Sequence, residues 1–154
     1  MAAGKGTRMK SRHPKVLQKL AGRALLQHVL DTAAQLKARS AVVVTGHGAA
    51  EVEAAIAAAN GVDGADGTHG AMDLKFVRQE PQLGTGHAVQ QAVPALKEDG
   101  LVVVLSGDVP LTRADTLQGL LDAAGSDKMA LLTVTMADPT GYGRIVRNDA
   151  GTVQ

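Results

Sequence analysis

The chain has 154 residues, 45% hydrophobic and 20% charged, and sixteen Lys and Arg against fifteen Asp and Glu leave a net charge of +1. That is the length and balance of one globular domain, without the basic excess of a nucleic-acid binder, an apolar run long enough for a membrane span, or the apolar core of a secretory leader. The absence of cysteine excludes a disulfide scaffold, a thiolate metal site and a cysteine nucleophile and fits a cytoplasmic protein, while a single Phe and a single Tyr are too few to stack the bases of a single strand.

In chain order, the first motif is Ala2-Ala3-Gly4-Lys5-Gly6-Thr7-Arg8-Met9, followed by Pro14-Lys15-Val16-Leu17. Its glycines let backbone N–H groups approach phosphate oxygens; Arg8 offers a bidentate grip and Lys15 a compact charge. The spacing is neither a Walker A loop nor the G-x-G-x-x-G dinucleotide fingerprint, and an ordinary turn with solvated basic residues satisfies it as well. No strand precedes Gly4, and Arg144 to Gln154 reads as a hairpin that has only begun to return, so a piece of a longer chain, cut at both ends, is expected.

Leu25 to Lys37 has helical periodicity, with Leu26, Val29, Leu30, Ala33 and Leu36 near one face. Ala41 to Thr45 is a continuous apolar run of the kind buried on both faces of a parallel sheet. A second helix is expected over Ala49 to Ala59. Asn60 to Gly70, rich in glycine and aspartate, reads as a surface loop. Leu74 to Gln79 is a weaker strand. It leads into the second motif, Gln79-Glu80-Pro81-Gln82-Leu83-Gly84-Thr85-Gly86-His87-Ala88, where Gln79 offers an amide for a base edge and Thr85 either caps the next helix or meets a ligand. That helix, Gly86 to Val93, should end at Pro94.

Leu101 to Leu105 reads as the strongest strand and delivers Ser106-Gly107-Asp108-Val109-Pro110-Leu111. Asp108 then sits beyond a strand's carboxyl end, where open sheets bind ligands, and is either a Mg²⁺ ligand or a turn-capping carboxylate. Thr112 is placed as N-cap of a helix over Arg113 to Ala124. Ala130 to Thr135 is a further apolar strand, Arg144 to Arg147 a weak one, and Pro139-Thr140-Gly141-Tyr142-Gly143-Arg144 a tight turn between them. The alternation predicts an α/β domain with a mainly parallel sheet in which 41–45, 101–105 and 130–135 are neighbouring central strands. Gly4, Lys5, Gln79, Gly84, Thr85 and Asp108 would then converge on one cleft. His13, His28, His47, His69 and His87 show no metal-ligand spacing, and a structural, helix-facing role suits His87. No Ser/His/Asp arrangement is visible, which favours direct transfer between bound groups.

The four motifs in this order resemble the sugar-nucleotide pyrophosphorylases. Within them, AAGKGTRM, PKVL, LAGR, QLGTGHAVQQA, SGDVPL and DPTGYGRIVR are similar to the N-terminal uridyltransferase domains of bacterial bifunctional N-acetylglucosamine-1-phosphate uridyltransferase/glucosamine-1-phosphate acetyltransferases. The resemblance implies a three-layer α/β/α Rossmann-like nucleotide-diphospho-sugar transferase fold, with residues 1–154 a partial nucleotidyltransferase domain lacking the acetyltransferase β-helix. It implies synthesis of UDP-N-acetylglucosamine and pyrophosphate from UTP and N-acetylglucosamine-1-phosphate with Mg²⁺, for peptidoglycan and lipopolysaccharide precursors, in a cytoplasmic protein trimeric through the absent domain. By the same resemblance Ala2, Ala3 and Gly4 contact the nucleotide, and Arg8 and Lys15 serve the triphosphate and catalysis. Gln79, Gly84 and Thr85 recognise uracil, Ser106, Gly107 and Gly143 line the sugar site, and Asp108 holds the metal. Two positions depart from the family pattern: Met1 replaces an apolar strand residue, and Ser106 stands where an aromatic residue is common. A nucleotidyltransferase for another sugar phosphate, or a nucleotide-binding fragment without turnover, are the alternatives.

Overall fold

Val42, Val43 and Val44 are β-branched, stiff at χ1 and suited to a pleated surface, and in the computed structural model they form the centre of a strand over Ser40–Thr45. The structure describes residues 1–4, 11, 13–59, 72–97 and 99–153. The elements run β1 (Lys19–Leu20), β2 (Arg23–Ala24), α1 (Leu25–Gln35), β3 (Ser40–Thr45), α2 (Ala49–Ala59), β4 (Asp73–Arg78), α3 (Thr85–Ala92) and α4 (Ala114–Ala124). A 3₁₀ turn at Lys15–Leu17 precedes β1, and a second at Val93–Ala95 follows α3, so the helix ends just before Pro94 as expected. β1 and β2 form a short antiparallel ribbon.

β3 and β4 are parallel, in register from Ser40 opposite Asp73 to Thr45 opposite Arg78. Side chains of a strand alternate between faces, and the core follows that alternation. Ala41, Val43, Leu74 and Phe76 pack with Leu26 and Leu30 of α1 and Val52 and Ile56 of α2. Val42, Val44 and Val77 turn the other way, against Ala88 and Ala92 of α3. Helices on both faces of a parallel pair make a three-layer α/β arrangement, the fold class expected. Ile56 is 1% exposed at the centre of the first layer. Ile56→Val should lower stability by about 0.5–1.5 kcal/mol, read as a shifted urea midpoint at unchanged slope.

The sheet differs from expectation in its other strands. Runs 101–105 and 130–135 are not strands, and Leu101, Val102, Val104, Leu131, Leu132 and Val134 are all more than half exposed or at half. Apolar composition does not make a strand without a ladder partner. Met1 and Ala2 lie between β3 and the 101–105 run: the Met1 amino group donates to the Leu105 carbonyl at 2.7 Å, and Gly107 N–H donates to the Met1 carbonyl at 2.8 Å. On the other side Ala2 N–H donates to the Val44 carbonyl at 2.8 Å. The two runs are therefore held one strand's width apart at that end. Behind Met1 the space continues as an apolar groove of about 440 Å³ between Ser40–Val44 and Leu101–Leu105. Residues 130–135 have no neighbouring strand among the described residues. Among the described residues the hydrogen bonds of 138–153 close within that segment, including an isolated antiparallel bridge between Arg147 and Val153.

Two caps also differ. α4 starts at Ala114 with Arg113 as N-cap; Thr112 Oγ1 bonds back to the Val109 carbonyl instead. Gly84, not Thr85, is the N-cap of α3. The expected loop over 60–70 lies outside the described residues, as do Lys5 and Arg8.

Candidate functional site: a rim at the strand ends

Parallel strands end on one edge of their sheet, and the residues that follow them share a rim. The chain leaves β3 at Gly46 and β4 at Gln79; Gly4 follows the Met1–Ala2 segment, and Asp108 follows the 101–105 run. Gln79 N–H donates to the Thr45 carbonyl at 2.8 Å, continuing the ladder one step past β4.

Lys15 and Asp108, far apart in sequence, meet here: Lys15 Nζ donates to Asp108 Oδ2 at 2.6 Å. The 3₁₀ turn carries Lys15 to the rim by burying its neighbour Val16 against Leu26. The Lys15 ammonium holds the Asp108 carboxyl below its ordinary value of 3.8, against the partial burial that pushes it up. A folded value below the unfolded one means that the pair contributes stability above about pH 3.8 and loses it as pH falls through the lower folded value. An NMR titration of the Asp108 side-chain carbon should give a midpoint below 3.8; a midpoint at or above that value would show the pair unformed in solution.

The glycine-turn residues divide sharply. Ala2 and Ala3 are buried in the two core layers, and the Ala2 N–H is spent on Val44. Gly4 is exposed, and no atom of the described residues lies within 4 Å of where its Cβ would stand. Any contact from Ala2 or Ala3 to a ligand must therefore be made by the remaining backbone groups. Gly107 is buried, and a Cβ there would come within 2.9 Å of the Met1 carbonyl oxygen, so its smallness serves the close approach of these two segments. Ser106 is exposed and Asp108 half-buried.

Across the rim, Gln79 is 3% exposed and Gly84 supplies its anchor. Gly84 takes φ 97° and ψ −179°, a region open essentially to glycine alone. Its carbonyl accepts Ala88 N–H at 3.1 Å, opening α3, and Gln79 Nε2 at 2.8 Å. Thr85, the first residue of α3, is exposed beside it.

Gly46 is a rim residue that the motifs do not reveal. A Cβ on it would lie 2.9 Å from the Ala3 carbonyl oxygen and 2.8 Å from Gln82 Nε2, so glycine is what lets these segments close together. The available signal is its place directly after the most apolar strand. Below it, Thr45 Oγ1 donates to Glu53 at 2.9 Å, and Arg78 clamps the same carboxylate through Nε at 3.1 Å and Nη2 at 2.9 Å. Arg78 thereby lowers the Glu53 pKa and ties the end of β4 to α2. Gly143 is exposed, and no hydrogen bond or ion pair among the described residues joins its segment to the rim.

No three His, Cys, Asp or Glu side chains among the described residues cluster as a metal cage. Asp108 is a single oxygen donor on the rim, with Oδ2 engaged by Lys15. Such a site suits Mg²⁺, which retains water and takes further ligands from substrate phosphates, and not an ion needing an all-protein shell. No helix among the described residues is long and apolar enough to cross a membrane.

Residues 1–147 match the family model of the MobA-like NTP transferase domain. The chain is 70% identical over all of its 154 residues to the bifunctional protein GlmU of Acidovorax sp. (strain JS42), covering 31% of that protein. It is 71% identical over 147 residues, 96% of the chain, to the bifunctional protein GlmU of Albidiferax ferrireducens, covering 30% of it. The chain thus spans less than a third of the length of these curated relatives. A solved UDP-glucose pyrophosphorylase from Acinetobacter baumanii is similar in fold, with a TM-score of 0.50 at 23% identity over 64% of this chain and 40% of that one. A family match over residues 1–147, on a frame of a parallel strand pair with helices on both faces, shows that the chain belongs to the MobA-like NTP transferase domain family.

Proposed function

We propose that this domain transfers a uridylyl group from UTP to N-acetylglucosamine-1-phosphate, giving UDP-N-acetylglucosamine and pyrophosphate. The observation that carries the reading is the joining of Lys15 to Asp108 on the rim that also bears Gly4, Gln79 and Gly84. High identity to bifunctional GlmU proteins over 96–100% of the chain supports it.

In the proposed reaction a phosphate oxygen of the sugar phosphate forms a bond to the α-phosphorus of UTP as the bond to pyrophosphate breaks. No protein nucleophile takes part, so the chain's work is positioning and charge stabilisation. Lys15 neutralises charge on the triphosphate and on the departing pyrophosphate, with Arg8 as a second cation. The backbone at Gly4 makes room for the phosphates, and Gln79, with Gly84 and Thr85, reads the uracil. Asp108 would hold Mg²⁺, which when bound offsets phosphate charge. With phosphates and cation present, Lys15 would exchange Asp108 for a phosphate oxygen. Ser106, Gly107 and Gly143 belong to the sugar side of this reading, and the cytoplasm is its location. The acetyltransferase half and its trimeric assembly are properties proposed for the longer protein.

Pyrophosphate release should appear with UTP and N-acetylglucosamine-1-phosphate together and not with either alone, in this chain or in one completed to the length of its relatives. Release with another sugar phosphate in preference would move the assignment within the family. Nucleotide binding without release in both chains would leave a binding module.

A further inference from the structure

Within α3, His87 and Gln91 stand one turn apart, and both belong to a hydrogen-bonded chain that ends on Gln79. Gln79 Nε2 lies 2.8 Å from the Gly84 carbonyl oxygen and 3.2 Å from His87 Nδ1. The other ring nitrogen of His87 lies 3.0 Å from the Gln91 side-chain amide.

Donor and acceptor roles in this chain are determined by its one invariable member. A carbonyl oxygen only accepts, so the Gln79 atom facing Gly84 is the amide nitrogen, not the oxygen. Its second hydrogen points to His87 Nδ1, which must then be the unprotonated nitrogen of a neutral ring. The ring proton sits on Nε2 and needs an acceptor. Gln91 Nε2 is placed at 3.0 Å from it, yet two N–H groups do not bond, so the Gln91 amide is turned with its oxygen toward the ring. Both hydrogens of the Gln79 amide are thereby engaged. Its Oε1 meets no donor among the described residues, and this oxygen is what Gln79 has left to offer a ligand.

We propose that His87 is a positioning and specificity-determining residue: by accepting from Gln79 it stops the amide from turning over and makes Gln79 present an acceptor. The inference rests on the reading of Gln79 as the residue that meets the base. A fixed acceptor pairs with the imide N3–H of uracil. It faces the bare N3 lone pair of cytosine with repulsion, which is discrimination by an unfavourable contact as well as a favourable one. An amide free to turn would offer N–H to cytosine instead and lose the distinction. Gln91 acts one step further back, by fixing the ring tautomer.

The test compares kcat/KM for UTP and CTP in the protein completed to the length of its relatives, for the wild type, His87→Phe and His87→Asn. Phenylalanine keeps an aromatic ring and removes the acceptor. Asparagine keeps an oxygen near the Nδ1 position. The UTP:CTP ratio should fall about 10-fold or more in His87→Phe, the scale of one lost hydrogen bond together with one lost repulsion, and the change should fall mainly on KM. His87→Asn should retain most of the wild-type ratio. A wild-type ratio in His87→Phe would overturn the proposal, as would loss of the ratio in His87→Asn to the same extent. A wild type that does not prefer UTP would instead defeat the base-reading role of Gln79 itself. Independently of any variant, ¹⁵N NMR of the His87 ring should show the neutral Nε2–H tautomer, and an Nδ1–H ring would equally overturn the assignment.

Discussion

Asp108→Asn is expected to reduce uridylyl transfer about 100-fold or more while leaving the fold intact, measured in a chain completed to the length of its relatives. That is the scale on which a single preorganised electrostatic group acts at a transition state. Asparagine keeps the shape and an acceptor oxygen, so a carboxylate that only stabilised its turn would tolerate the change. It cannot hold a divalent cation against its hydration shell in the same way, because the charge is gone. The thermal midpoint should move little, since Asp108 lies half-buried on the rim and its Lys15 partner remains hydrated. Higher Mg²⁺ should restore part of the loss. Near-normal transfer at low Mg²⁺ would remove Asp108 from the mechanism and leave its ion pair with Lys15 as a local strut. Failure of the variant to fold would show that the strut is the whole of its role.

Gly84→Ala carries the second large effect, and its cause is conformational. A Cβ at this position would meet nothing within 4 Å among the described residues, so crowding by them is not the obstacle. The obstacle is the backbone itself, at φ 97° and ψ −179°, where a residue with a side chain costs about 1–3 kcal/mol. The chain can relieve that strain by turning the Gly84 peptide, but its carbonyl holds both Ala88 N–H and the Gln79 side chain. Relief therefore releases the Gln79 amide, the group proposed to read the base. Stability should fall by about 1–3 kcal/mol in a denaturant titration, and UTP affinity should fall about 10-fold by calorimetry. A destabilised variant that still binds UTP at wild-type affinity would separate helix initiation from ligand recognition and refute the link.

Much of the rim is legible in the residues because its chemistry is local. A glycine pair after an alanine pair, an amide five residues before Gly84, and an aspartate directly after an apolar run each state a possible contact within a few residues of chain. The pairing of Lys15 with Asp108 is not legible. It depends on Val16 burying itself and on Met1 tying the 101–105 run back toward β3, both contacts between segments distant in sequence. The role proposed for His87 was hidden for another reason: histidine spacing signals metal sites, whereas this ring meets an amide only eight residues away, across the loop between β4 and α3.

By itself the sequence determined the α/β class, the helices α1 to α4 to within a residue or two, and the strand β3, because these follow from side-chain periodicity and backbone stiffness along one stretch of chain. Only the tertiary structure decided which apolar runs became strands. The weaker run expected over 74–79 became β4, over Asp73–Arg78, because it lies in register beside β3 with α2 and α3 packed on either face. The stronger runs 101–105 and 130–135 did not, because a strand needs a neighbour's N–H and C=O groups, and the amount of apolar surface in a segment does not say whether another segment lies beside it.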